Sequence, residues 1–261
     1  MSTNASTKGR MESEFTLPIG YTDEEGNLHR TVVLRKMTGK EEAILADRRY
    51  QRNGGKLVTE LLHSCLVRLG ELPKNGTKTV ESMYSADRNF LLLKLRSLTF
   101  GSELPARYSC PTCNESVEVT EDLDELPVRM IGESESVEEV VVALEDGYLD
   151  KDGQVHKALR LRLPTGTDET AVASQMRQNA SLGKNALLSR CMKSLGDLPK
   201  HRLEAIGPRI LADLTLTDRR LIDRALNEVA PGVEITRHIE CPGCGQTFKT
   251  SLDLTHFLAL E

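Results

Sequence analysis

Leu61-Leu62-His63-Ser64-Cys65-Leu66-Val67-Arg68-Leu69-Gly70-Glu71-Leu72-Pro73-Lys74 returns later in the chain as Leu187-Leu188-Ser189-Arg190-Cys191-Met192-Lys193-Ser194-Leu195-Gly196-Asp197-Leu198-Pro199-Lys200. Eight of the fourteen positions are identical. Upstream, Tyr21, Asp23, Gly26, His29, Leu34, Arg35, Thr38 and Gly39 reappear in order as Tyr148, Asp150, Gly153, His156, Leu161, Arg162, Thr165 and Gly166. Downstream, Asp87-Arg88 returns as Asp218-Arg219, Gly101 as Gly232, Cys110-Pro111 as Cys241-Pro242 and Asp122-Leu123 as Asp253-Leu254. The spacing drifts by only a few residues, so the chain reads as a tandem duplication of one unit; repeat arrays have shorter periods. The expected organisation is a polar, disordered tail over 1–13, a first repeat over 14–130 and a second over 131–261.

Each repeat carries the same string of local signals. Apolar runs over 15–21 and 30–36 flank a polar turn, as do those over 137–148 and 155–163, and both pairs predict a β-hairpin. In the second turn Asp150-Lys151-Asp152-Gly153 does not make a calcium loop, because the glycine comes too early and no glutamate closes twelve residues. Thr38-Gly39-Lys40-Glu41 fits a capping box, and Thr165-Gly166-Thr167-Asp168 a weaker one. Helices are expected over 40–51 and 168–179, then over 56–69 and 184–195, the latter two ending at Gly70 and Gly196 as left-handed caps. A third helix starts at each Asp-Arg pair, with the aspartate favouring the helix N-terminus and the arginine snorkelling or pairing nearby. Each repeat closes on a hairpin whose turn is a Cys-x-x-Cys knuckle. The expected fold class is therefore α+β.

Composition narrows the function. The net charge of -5 counts against a protein built to hold a phosphate backbone. No apolar run is long enough to span a membrane, and the start of the chain lacks the apolar core of a secretory signal, so a cytoplasmic setting is expected. In that compartment the six cysteines read as ligands or buried thiols. Cys65 and Cys191, among leucines, read as small core residues. No nucleotide-binding loop, nucleophile elbow or zinc-protease motif is present, and no enzyme is expected. His29 and His156 follow a turn and fit strand-edge hydrogen bonds. The basic cluster Arg48, Arg49, Arg52 and Lys56 fits a solvated helix face.

Cys110, Cys113, Cys241 and Cys244 carry the chemistry. Two Cys-x-x-Cys knuckles supply the four thiolates that a structural zinc ion takes, and iron fits the same ligands. The two repeats are expected to be related by a pseudo-twofold axis, so that equivalent knuckles meet at that axis and share one closed four-cysteine zinc site. Two other arrangements use the same residues: a pair of redox-active dithiols, or two half-sites completed by another copy of the chain.

A resemblance bears on function. Asp87-Arg88-Asn89-Phe90-Leu91-Leu92-Leu93-Lys94-Leu95-Arg96-Ser97-Leu98-Thr99-Phe100-Gly101, with Cys110-Pro111-Thr112-Cys113 and Val117-Glu118-Val119-Thr120-Glu121-Asp122-Leu123, resembles the baseplate hub assembly chaperone family of contractile-tailed phages and extracellular contractile injection systems. It covers most of the first repeat and the second more loosely, where Pro231 stands in place of Phe100. The resemblance implies a non-enzymatic assembly factor or baseplate component that handles hub, spike or tape-measure proteins. It would act in the cytoplasm during assembly, with retention in the finished particle left open. The competing class is a zinc-ribbon nucleic-acid-binding regulator, for which Arg107, Tyr108, Arg237, His238 and Lys249 are the candidate contacts. A dithiol oxidoreductase is a third class.

Overall fold

The computed structural model describes residues 12–72, 76–132 and 139–252. The chain is α+β. Its first half runs β1 (Glu12–Thr22), β2 (Leu28–Arg35), α1 (Gly39–Ala46), α2 (Arg48–Gln51), α3 (Gly54–Cys65), β3 (Leu66–Leu69), α4 (Thr77–Ser82), α5 (Ser85–Phe100), β4 (Glu103–Ser109), β5 (Ser116–Asp122) and β6 (Val128–Arg129). The second runs β7 (Val140–Leu149), β8 (Val155–Leu161), α6 (Gly166–Gln178), α7 (Ala180–Cys191), β9 (Met192–Leu195), α8 (Lys200–Asp213), α9 (Leu216–Val229), β10 (Gly232–Val233), β11 (Thr236–Glu240) and β12 (Thr247–Ser251). The tail expected over 1–13 lies outside the described residues up to 11, and Glu12 and Ser13 already pair in β1. Asp253 and Leu254 also lie outside the described residues.

Both predicted hairpins form, and each carries the same irregularity. Strand β1 pairs antiparallel with β2 but slips between Thr16 and Tyr21, and β7 slips against β8 between Ala143 and Tyr148. The slip turns backbone amides out of the ladder, and a buried carboxylate meets them. Asp87 accepts from Ile19 N and Gly20 N at 2.8 and 2.9 Å. Asp218 accepts from Glu145 N and Gly147 N at 2.6 and 2.8 Å. The recurring aspartate thus docks the helix that bears it onto the bulge of its own hairpin. Both carboxylates are fully buried, so their partner is this strand rather than an exposed helix end.

Four expectations need correction. The predicted helices over 56–69 and 184–195 stop at Cys65 and Cys191, and the next four residues become β3 and β9, third strands on β2 and β8. Edge pairing wins there because it satisfies backbone groups of β2 and β8 while still burying Leu69 and Leu195. Gly70 and Gly196 do adopt φ of 51° and 50°, but as turns after a strand, where a Cβ would strike the rings of His29 and His156. The helix over 40–51 is broken at Asp47, whose carboxylate caps Arg49 N at 2.8 Å. Helices α4 and α8 were not anticipated. Of the two expectations for Arg88, snorkelling fails, since its side chain is fully buried, and pairing holds, with Glu169 as the partner.

Two cores result. Leu17, Val32, Leu34, Leu61, Cys65 and Leu91 centre the first, and Val142, Leu159, Leu161, Cys191, Ile210 and Ile222 the second. The thiols of Cys65 and Cys191 are each pushed up to about 12, chiefly by burial, as befits core residues. Ile19 of the first half packs in the second core, and β6 pairs with β10, so the halves are interlocked.

Candidate metal centre and the contact between the halves

The knuckle hairpins β4–β5 and β11–β12 lie face to face. Tyr108, Val117, Ile239 and Phe248 form a small core between them, with the buried Cys110 and Cys241 at its end. Each turn closes in the same way. Cys110 N donates to Glu115 O and Asn114 N to Cys110 O, both at 2.9 Å; Cys241 N donates to Gln246 O at 2.9 Å and Gly245 N to Cys241 O at 2.8 Å. Asn114 and Gly245 supply the left-handed residue that the tight turn needs, with φ of 60° and 71°. This local geometry follows from the two Cys-Pro-x-Cys sequences and brings all four predicted ligands together.

The sulfurs cross between the halves. Cys110 Sγ lies 3.7 Å from Cys244 Sγ, and Cys113 Sγ lies 3.6 Å from Cys241 Sγ. All four lie within 4.8 Å of one another. A tetrahedral shell with ligands at about 2.3 Å separates its sulfurs by about 3.8 Å. The cluster therefore fits a metal ion such as zinc with little adjustment. The backbone N–H groups of Cys113 and Thr112 favour the Cys110 thiolate and bring its pKa down to about 6. Cys113 receives the N–H of Glu115, yet the neighbouring thiols of Cys241, Cys244 and Cys110 raise it to about 12. Four thiols packed this closely cannot all ionise unless a cation sits among them.

A second link ties the hairpins. Glu121 is buried, accepts from Tyr108 Oη at 2.9 Å within its own hairpin and from Arg237 Nη2 at 2.6 Å across to the other. Arg107 pairs with Glu118. The ribbon side chains considered for nucleic acid are thus partly engaged by carboxylates.

The third link lies in the helices. Arg88 donates from Nη1 to Thr59 Oγ1 and Val80 O at 3.1 and 2.9 Å, from Nη2 to Gly55 O at 3.0 Å, and from Nε to Glu169 of the second half at 3.2 Å. Two glycines permit this approach. A Cβ on Gly166 would lie 2.5 Å from the Arg88 guanidinium carbon, and one on Gly55 would lie 2.6 Å from Thr170 N. Sequence reading missed this site, although the recurrence of Asp-Arg and of Thr-Gly was its signal. The contact also corrects the expected symmetry: α3, α4 and α5 pack on α6, with no comparable contact of α7 on α1 among the described residues. Equivalent residues meet in the knuckle ribbons, Tyr108 and Val117 with Ile239 and Phe248 as well as the crossed sulfurs, whereas the helical layer is joined head to tail.

Sulfur cluster, buried carboxylate and buried arginine each link one half of the chain to the other. The family described as T4 bacteriophage base plate protein matches residues 11–259, and the chain belongs to that family. No curated protein and no solved structure matches it. Among the described residues no helix is long and apolar enough to cross a membrane.

Proposed function

We propose that the chain is a non-enzymatic structural or assembly protein of a contractile-tail baseplate, built as a tandem duplication and held rigid by one structural zinc ion on Cys110, Cys113, Cys241 and Cys244. The observation that carries this reading is the meeting of two knuckles, one from each half, in a chain of the base plate family. Duplication draws support from equivalent polar contacts. Arg35 pairs with Glu41 as Arg162 does with Asp168, and His29 meets Asp23 as His156 meets Asp150. A shell of four thiolates leaves no ligand position for substrate, so the ion's work is mechanical.

The partners under this reading are hub, spike or tape-measure proteins, handled during assembly as the hub chaperones do. Co-purification of the tagged chain with the tail proteins encoded around it tests this. Retention of a hub or tape-measure protein supports the role. A salt-sensitive complex with DNA or RNA in its place would move the chain to the ribbon-type regulators, a reading that the Glu118 and Glu121 contacts of Arg107 and Arg237 disfavour.

A further inference from the structure

The helical contact between the halves has a socket and a plug. The socket is on the first half: Arg88 forms its floor, and the backbone around α4 forms its rim. The plug is the first turn of α6. Gly166 N donates to Met83 O at 3.1 Å, Ser85 N to Pro164 O at 2.9 Å, Thr167 Oγ1 to Glu81 O at 3.2 Å, and Glu169 accepts from Arg88 Nε at 3.2 Å.

Each half carries a counterpart of the part that the other half uses, with Ser181 standing on the second half where Gly55 stands on the first. On the second half, Arg219 reaches Asn185 and, at 2.8 Å, Leu211 O, as Arg88 reaches Thr59 and Val80 O. On the first half, Thr38, Gly39 and Glu42 stand at the start of α1 where Thr165, Gly166 and Glu169 stand at the start of α6. Within one chain this second pair is apart. Arg219 is only partly buried, and Leu216, the counterpart of Ser85, is 74 % exposed. Leu182, in the first turn of α7, is 55 % exposed. Glu42 is exposed, and a Cβ on Gly39 would meet nothing within 4 Å, whereas Gly166 has no such room.

We propose that the Arg219 socket takes the first turn of α1 from a second copy of this chain, with Glu42 on the Arg219 guanidinium and Leu216 and Leu182 covered by the incoming helix. The occupant is chosen by the contact already present between the halves, since the second copy offers the same Thr-Gly turn and the same glutamate. Such a contact is heterologous, so copies join head to tail and close into a ring or continue as a filament. The proposal rests on the equivalence of the two halves.

Sedimentation velocity of the metal-loaded full chain over a wide concentration range tests it. The wild type should assemble with rising concentration. Glu42→Lys, which sets a cation against Arg219, and Leu216→Glu, which puts a charge under the docked helix, should each weaken assembly about tenfold or more. Both residues are exposed in the single chain, so folding and metal content should stay unchanged, and Glu42→Arg with Arg219→Glu should recover assembly where that double variant folds. A wild type that stays monomeric overturns the proposal, as do oligomers that ignore both single substitutions. Leu216-dependent binding of a different protein by a monomeric chain overturns it too. The shared metal site of the proposed function is tested separately by metal content after substitution in either knuckle, so the two failures are distinguishable.

Discussion

Arg88 and Glu169 meet at 3.2 Å across the two halves, with the arginine side chain fully buried and the glutamate partly open to water. Two substitutions of the glutamate should have unequal consequences. Glu169→Ala leaves a buried guanidinium with only neutral acceptors, and should cost about 3 kcal/mol in urea unfolding. Glu169→Gln keeps an acceptor for the Nε proton and should cost about half as much. Equal losses in the two variants would mean that the charge of Glu169 is not what the arginine needs.

Gly166→Ala drives a methyl group into the same guanidinium and should destabilise by about 1–3 kcal/mol. Gly39→Ala, at the equivalent place on α1, enters open space and should change monomer stability by less than about 0.5 kcal/mol. Thermal unfolding of the pair at low concentration checks the contrast.

Buried carboxylates give stability slopes of opposite sign. Burial pushes Asp87 up to about 6, against the pull of the Ile19 and Gly20 amides. Its folded pKa exceeds the unfolded value, so its contribution is full below about pH 4 and lost as pH rises through 6. Burial also opposes ionisation of Glu41 and Asp168, but bonds from Arg35, Ser64 and Thr38 to the first, and from Arg162 and Thr165 to the second, outweigh it and hold both at about 2. Their contribution is present above about pH 4 and lost as pH falls towards 2. Urea unfolding from pH 3 to 7 should show Asp87→Asn gaining on the wild type as pH rises, and the deficit of Glu41→Gln shrinking as pH falls. Parallel curves would contradict both assignments.

Thiol labelling should sort the six cysteines into two classes. Cys65 and Cys191, buried and pushed up to about 12, should resist alkylation at pH 8 until the chain unfolds. The four knuckle cysteines should become reactive once a chelator removes the ion, because Cys113 and Cys244 are exposed and the Cys110 thiol is held down to about 6. Rapid labelling of Cys65 in the folded chain would argue against its place in the core.

The hairpins and the cysteine cluster were legible because their signals are local or repeated: alternating residues around a turn, and two identical knuckle spacings. Leu66 and Leu69 were not legible as a strand, since Leu61, Leu62, Cys65 and Leu69 keep helical spacing and only the unpaired edge of β2 turns the last four residues into β3. Arg88 was visible as a recurring residue, but its burial depends on Gly55 and Gly166 admitting α6, a contact that no stretch of one half encodes. The symmetric arrangement expected from duplication is met in the knuckle ribbons but not in the helical layer, where Arg88 and Glu169 join unlike faces.

The direct test of the central claim is metal content and hydrogen exchange of Cys110→Ser beside the wild type. The account predicts one zinc per wild-type chain and little in the variant, with protection lost in β11–β12 of the second half as well as in β4–β5 of the first. Unchanged metal content, or loosening confined to the β4–β5 hairpin, would contradict a clamp shared between the halves.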